Sequence, residues 1–358
     1  MELRRSRRRT AALLAALLVN VSLAVCVSAS EGEEEVLAIP SNVQDQRGLE
    51  LADGRLWFSA FVNVAFESLE HQSDELNLDD VGILVRWDAN DRFSFFVALE
   101  VEDLVTWLDD EGWSFANESP HVERLRMDVS LGAETTLRIG KTLTPFGIWN
   151  PIRRAPLTWT VDRPLVTEIA FPLHVTGFDL NHKATVGGWS IDSDLYGQPA
   201  GELDRLGDEK SAKAFVGGRI AAGHSLPAGF ATVGVQAAWF EDHFAHDQEY
   251  AVGVDLDMTI ARQLITSEVI FFDGEIDEQP AWWGAYLQVV SPIWRGLFAV
   301  ARGETVGLRD ADDYGNVILG LAWRAQNDRW VLKLNYQFSR HEVDGRSDGV
   351  GVALSFLF

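Results

Sequence analysis

The chain closes on D-G-V-G-V-A-L-S-F-L-F, residues 348–358. Val350, Val352, Leu354, Phe356 and Phe358 fall on one side of an extended segment, with Gly351, Ala353 and Ser355 between them. Alternation of this kind is the period of a β-strand, whose successive side chains point to opposite faces. One face is apolar to its last residue and the other carries mostly small side chains. Such a strand is expected to lie between an apolar surrounding and a differently composed interior.

The same period recurs upstream. From Arg55 onward the chain divides into sixteen alternating segments, near 55–67, 78–88, 91–103, 122–132, 134–143, 175–185, 187–198, 211–222, 228–241, 248–260, 262–273, 281–292, 295–306, 314–325, 328–340 and 348–358. Most alternate connections are tight: Asp88 to Asp91, Gly132 to Ala133, Thr185 to Val186, Ala261 to Arg262, Pro292 to Trp294 and Ala325 to Asp328. The intervening ones, such as Glu67 to Asp79, Glu102 to Pro120, Pro199 to Lys210 and Gly274 to Gln279, are longer and polar. A barrel of tilted strands crossing a membrane, with both termini on one side, produces this asymmetry, and a soluble sandwich has no reason to. No apolar run after residue 30 reaches the ~20 residues of a spanning helix, so a membrane protein of this composition has to be a closed barrel. The predicted fold is therefore all-β, a closed antiparallel transmembrane β-barrel of about sixteen strands, with fourteen or eighteen as alternatives.

Alternation also assigns faces. Phe93, Phe95, Val97 and Leu99, or Trp330, Leu332, Leu334, Tyr336 and Phe338, form rows facing lipid, and their neighbours face the lumen. Trp57, Trp87, Trp189, Trp323 and Trp330 fall beside the tight turns, and Trp239 and Trp283 fall toward the long loops, which predicts two interfacial girdles. Charged residues are interleaved with the apolar rows. A charged side chain at the membrane midplane costs ~2–4 kcal/mol, so they predict a wet interior. Arg124, Arg126 and Arg138 lie on early strands, and Asp192, Asp194, Asp255, Asp257 and Glu268 on later ones. These are expected as a basic arc and an opposing acidic wall, setting a transverse field across the lumen. The alternative is that the charges pair and plug it.

Arg4, Arg5, Arg7, Arg8 and Arg9 precede a mainly apolar run from Ala11 to Val25 and the small residues Ser28 and Ala29. This pattern predicts an export signal peptide over 1–29, a short acidic linker over 30–54 and the barrel over 55–358. The single cysteine, Cys26, falls in the leader, so no disulfide framework is expected. A formal charge of −24 argues against nucleic acid as a partner, while 47% hydrophobic residues exclude a disordered acidic tail.

The longest connection spans 144–174 and is the third outside loop. It starts in G-K-T-L-T-P-F-G (140–147) and continues through Trp149, Arg153, Arg154, Trp159 and Arg163. A long loop rich in Pro and Trp is expected to pack against something and to be functional. The eight-residue stretch after an amphipathic strand resembles the equivalent segment of the phosphate-selective porin family, of O and P type. The terminal strand similarly resembles the final strand of Gram-negative outer-membrane barrels. The resemblance implies a third loop folded into the barrel. A constriction would form from Arg153, Arg154 and Arg163 facing Arg124, Arg126 and Arg138. It further implies passive diffusion of small hydrophilic solutes or ions, a homotrimer, contact with outer-membrane lipid and lipopolysaccharide, and insertion by the barrel-assembly machinery.

Other classes find less support. No G-x-S-x-G elbow or zincin helix is present, and Thr135 stands where a phosphate loop before Gly140-Lys141 needs its first Gly, so no catalytic residues are assigned. Asp242, His243, His246 and Asp247 read as a solvated acidic loop, and no metal or cofactor is expected. A plugged barrel acting as adhesin, receptor or structural protein is the competing function.

Overall fold

The computed structural model describes residues 48–70, 72–115, 120–203, 210–243, 248–276, 279–308, 313–325, 329–339 and 348–358. The expected leader and most of the expected linker lie outside them. Among the described residues there are eighteen strands: β1 (Leu49–Leu51), β2 (Leu56–Leu69), β3 (Glu75–Asp88), β4 (Phe93–Leu108), β5 (Gly112–Phe115), β6 (His121–Ser130), β7 (Thr135–Leu143), β8 (His174–Val186), β9 (Trp189–Gln198), β10 (Ala212–Leu226), β11 (Gly229–Asp242), β12 (Gln248–Ile260), β13 (Gln263–Ile276), β14 (Gln279–Trp294), β15 (Leu297–Leu308), β16 (Tyr314–Arg324), β17 (Trp330–Ser339) and β18 (Gly349–Leu357). Sixteen form the wall, each antiparallel to its neighbours in sequence. β18 returns to pair with β2 from Gly349↔Leu69 to Leu357↔Phe61 and closes the barrel. The predicted sixteen segments each correspond to one wall strand.

Two strands were not foreseen. β5 pairs only with the outer end of β4, forming a hairpin above the wall, while β4 goes on to pair with β6. β1 pairs with Leu56–Phe58 at the foot of β2, just below the point where β18 ends. Both are too short to show a period. The tight turn expected at Thr185 to Val186 lies instead at Gly187 and Gly188, whose φ values of 59° and 84° give the doubly left-handed turn that matches strand twist. Ala261 and Arg262 adopt the same left-handed region at φ 48° and 66° without any glycine. The connection expected from Gly274 to Gln279 is shorter, because β13 runs on to Ile276 and β14 begins at Gln279.

Exposure alternates with the strand period. On β17, Trp330, Leu332, Leu334, Tyr336 and Phe338 are 39–47% exposed, whereas Val331, Lys333, Asn335 and Gln337 are 0–4% exposed. The outside is a belt of large apolar side chains, a surface suited to hydrocarbon rather than water. The inside carries the polar groups. No helix among the described residues is long and apolar enough to cross a membrane.

Candidate functional site

Between β7 and β8 the chain leaves the wall at 144 and rejoins it at 173. The neck is sewn shut: Thr144 N–H donates to the Leu173 carbonyl at 2.9 Å. Asn150 Nδ2 donates to the carbonyls of Thr144 and Leu173 at 2.8 and 3.0 Å. Two 3-10 turns, Asn150–Ile152 and Ala155–Leu157, and one helical turn, Val166–Ile169, supply the only regular structure. The segment is buried along most of its length, with Phe146, Thr158, Ala170 and Phe171 all 0–1% exposed. It lies inside the barrel, against lumen-facing side chains.

Its backbone is matched group by group to the wall of late strands. Gly147 N–H donates to Gln236 Oε1 of β11 at 3.0 Å, and Ile148 N–H to Glu268 Oε1 of β13 at 3.0 Å. Val161 N–H donates to Asn335 Oδ1 and Leu165 N–H to Glu304 Oε2. The carbonyls meet cations. Arg302 donates to Thr160 Oγ1 and the Asp162 and Arg163 carbonyls, and Arg324 to those of Pro156, Leu157 and Thr158. Lys333 Nζ donates to the Ala155 carbonyl at 2.6 Å and to Thr158 Oγ1 at 2.5 Å. A loop without its own ladder would strand these groups in a buried setting, and the wall satisfies them. The opposite flank is apolar. Leu157 joins Phe61, Leu84, Phe96, Ala98 and Leu357 in a buried cluster, with Ile152 against it. The lumen predicted as polar is therefore apolar over this patch of β2–β4 and β18, because the loop, not solvent, covers it.

Beside the loop the early and middle strands leave a cavity of about 690 Å³ toward the short-turn end. Leu143, Pro145, Gly147 and Pro151 bound it on the loop side. Its lining includes eight basic residues, among them Arg86, Arg124, Arg126, Arg138 and Arg219, against six carboxylates. That excess of positive charge sits inside a strongly acidic chain. Arg124 and Arg126 stack their guanidinium groups over Phe96, at 5.5 and 4.6 Å from the ring centre. Arg126 pairs with Asp128 at 3.0 Å, and Arg138 with Asp179 at 2.5 Å. Alternation inside the strands holds each of these side chains inward on a rigid wall.

The sequence-derived site residues divide between several places. Arg124, Arg126 and Arg138 come together on the cavity wall. The loop's arginines do not line this cavity. Arg154 is 5% exposed with its guanidinium 6.0 Å from the Phe61 ring centre, and Arg163 pairs with Glu168 at 3.1 Å and donates to the Arg153 carbonyl. Arg153 and Arg163 lie within electrostatic reach of Asp80 on the outer part of β3. Asp192 and Asp194 share the cavity with the arginines rather than opposing them, accepting from Asn181 Nδ2 at 2.6 and 2.8 Å. Asp255 takes a bidentate pair from Arg219 at 3.0 and 2.7 Å. Glu268 is buried under the loop, accepting also from Tyr286 Oη at 2.8 Å. Asp257 pairs across the sheet with Thr232 and Thr266. The acidic row thus grips the loop or neutralises neighbours more than it forms a free wall. Trp87, Trp189, Trp323 and Trp330 are 44–51% exposed near the tight turns. Trp239 is 38% exposed near the long loops, and Trp57 and Trp283 are half-buried. Phe356 on β18 and Phe358 just past its end fall on the outward side.

Sequence reasoning missed Gln236, Arg302, Glu304, Arg324, Lys333 and Asn335 as loop anchors. Each is an inward residue in an otherwise apolar alternation. That signal was readable as lumenal, but its partner was not.

No family model matches the chain, and no curated protein does. Solved structures share the fold across nearly their whole length. The outer-membrane expressed OmpT of Vibrio cholerae aligns with TM-score 0.57 at 11% identity, covering 87% of this chain and 100% of that one. The outer membrane channel DcaP of Acinetobacter baumannii aligns at 0.55 and 12%, covering 87% and 99%. The anion-selective porin from Comamonas acidovorans aligns at 0.52 and 12%, covering 85% and 99%. What this likeness defines is a class of architecture, the closed sixteen-stranded barrel of outer-membrane porins.

Proposed function

We propose that the protein is an outer-membrane porin of a Gram-negative bacterium, delivered by its N-terminal leader, that lets small hydrophilic solutes or ions diffuse through a water-filled lumen. The observation that carries this reading is the loop 144–173, held inside the barrel yet leaving a charged cavity on the β3–β10 side. A purely structural barrel has no need of a folded internal loop whose backbone is partnered on a dedicated set of inward side chains. Sixteen strands leave room for an aqueous passage, as eight do not. The constriction lies between the loop and Arg124, Arg126 and Arg138, with Arg153 and Arg163 on its outer side. A homotrimer in contact with lipid and lipopolysaccharide fits the outward belt, and V. cholerae OmpT has been solved in a trimer form.

Recording from the refolded protein in a planar bilayer tests this. Discrete conductance steps are expected, and a reversal potential under a salt gradient that moves toward cation preference in Arg126→Ala/Arg138→Ala. A folded but silent barrel would favour a plugged receptor or structural role, and an unchanged reversal potential in the variant would remove those arginines from the constriction.

A further inference from the structure

At the outer ends of β6 and β8, bordering the cavity, two glutamates and a histidine converge, with a second histidine against one of the glutamates. Glu100 of β4 and His121 of β6 are direct cross-strand partners. The register then slips between Ala98 and Leu99, an irregularity that brings Glu123 as well as Arg124 into the interior. His174, the first residue of β8, completes the group where the loop rejoins the wall. His121, Glu123 and His174 are 6%, 3% and 1% exposed. One ligand atom from each of Glu100, His121 and Glu123 lies within 4.8 Å of the other two. Glu123 Oε2 stands 2.9 Å from His174 Nε2 and 3.8 Å from His121 Nε2.

The imidazole of His174 has a carboxylate on both sides. Its Nδ1 faces Glu202 Oε1 at 3.5 Å, and Lys141 Nζ holds that same oxygen at 3.3 Å. A neutral ring has one N–H and one lone pair. If Nδ1 donates to Glu202, then Nε2 turns a lone pair toward a carboxylate oxygen at hydrogen-bond distance. That contact is repulsive unless a positive centre lies on it, either a second ring proton or a metal ion. A carboxylate behind a histidine is also the usual device for orienting a metal ligand. We propose that Glu100, His121, Glu123 and His174 form a binding site for a divalent transition metal of the zinc type, with Glu202 and Lys141 positioning His174. Two imidazole nitrogens with two carboxylate oxygens suit zinc, cobalt or nickel better than calcium or magnesium, which prefer oxygen alone. His174, and beyond it Arg153 and Arg124, lie within electrostatic reach of Glu123.

Equilibrium dialysis of the full folded barrel in detergent against zinc, with magnesium as competitor, tests the site whether or not the barrel conducts. One zinc per chain is expected, resistant to excess magnesium, and cobalt in its place should give the visible bands of a four-coordinate ion. His174→Ala should abolish binding. Glu202→Gln, which alters no ligand, should weaken it about 10–100-fold, and it serves where His174→Ala does not fold. His243→Ala, just past the end of β11, should leave the affinity unchanged. Absence of saturable zinc binding, retention of it in folded His121→Ala/His174→Ala, an affinity unchanged in Glu202→Gln, or its loss in His243→Ala would each overturn the assignment and leave His174 held by ring protons alone.

Discussion

Gly147 shows how much of the internal loop rests on single residues. It sits at φ +69°, and a Cβ built there would lie 2.1 Å from Glu268 Oε2, the carboxylate whose other oxygen accepts from the next two backbone N–H groups. Gly147→Ala therefore adds left-handed strain and forces Glu268 away from Ile148 and Trp149. Strain of this kind costs of order 1–3 kcal/mol. The variant is expected to lower the guanidinium unfolding midpoint in detergent by a corresponding amount, and to give more variable single-channel currents than the parent. Equal midpoints would mean that the loop's start tolerates displacement. The G-K-x-x-x-P-F-G stretch marked this position in the sequence, but only as a motif. Its partner Glu268 lies far along the chain, and no local period connects the two.

Among the elements, β18 separates what alternation makes legible from what it hides. Its outward row was readable residue by residue, since every second side chain is apolar. The inward row read as small and undemanding, yet Leu357 is 4% exposed and packs with Phe61, Leu84, Phe96 and the loop's Leu157. Phe358 is tied to β2 through exchanged backbone bonds with Ala60 at 2.8 and 3.3 Å, and Ser59 Oγ donates to its carbonyl. Leu357→Ala is expected to destabilise the barrel by about 2–5 kcal/mol, the usual range for a buried leucine. Phe356→Ala on the outer face exchanges one detergent-covered surface for a smaller one and should cost less. Unfolding transitions of the two variants in one detergent decide this, and equal losses would place the strand's main contribution on its lipid side. The fold was legible because the period repeats sixteen times and errors at one turn do not propagate. Loop contacts were not legible, because they join backbone groups to side chains on strands up to 178 residues away.

At the scale of the whole molecule, the net charge of −24 is a poor guide to what the lumen does to an ion. The balance of charge instead shifts along the axis. Toward the long-loop end stand Asp79 and Asp103, bonded to the inward Asn63 and Asn77, with Asp80 beside them. Toward the short-turn end the cavity lining carries eight basic residues, Arg86, Arg124, Arg126 and Arg138 among them, against six carboxylates, a net basic excess. The sequence suggested a field across the lumen, because strand order alone says which strands carry which sign and not where the loop removes charges from play. An axial arrangement has a different electrical signature. When the outer side is made positive, cations enter through the acidic mouth and anions through the basic end, so both accumulate in the middle. Reversed, both are drawn out and the middle is depleted. The open channel is thus expected to pass more current with the outer side positive. The asymmetry depends on unscreened charge, and the screening length falls from ~10 Å at 0.1 M salt to ~3 Å at 1 M. Rectification should be clear at the lower concentration and nearly absent at the higher. In Arg126→Ala/Arg138→Ala it should shrink at low salt, whereas a current–voltage curve that is straight at 0.1 M, or equally bent at both salts, would contradict the axial arrangement as the controlling field.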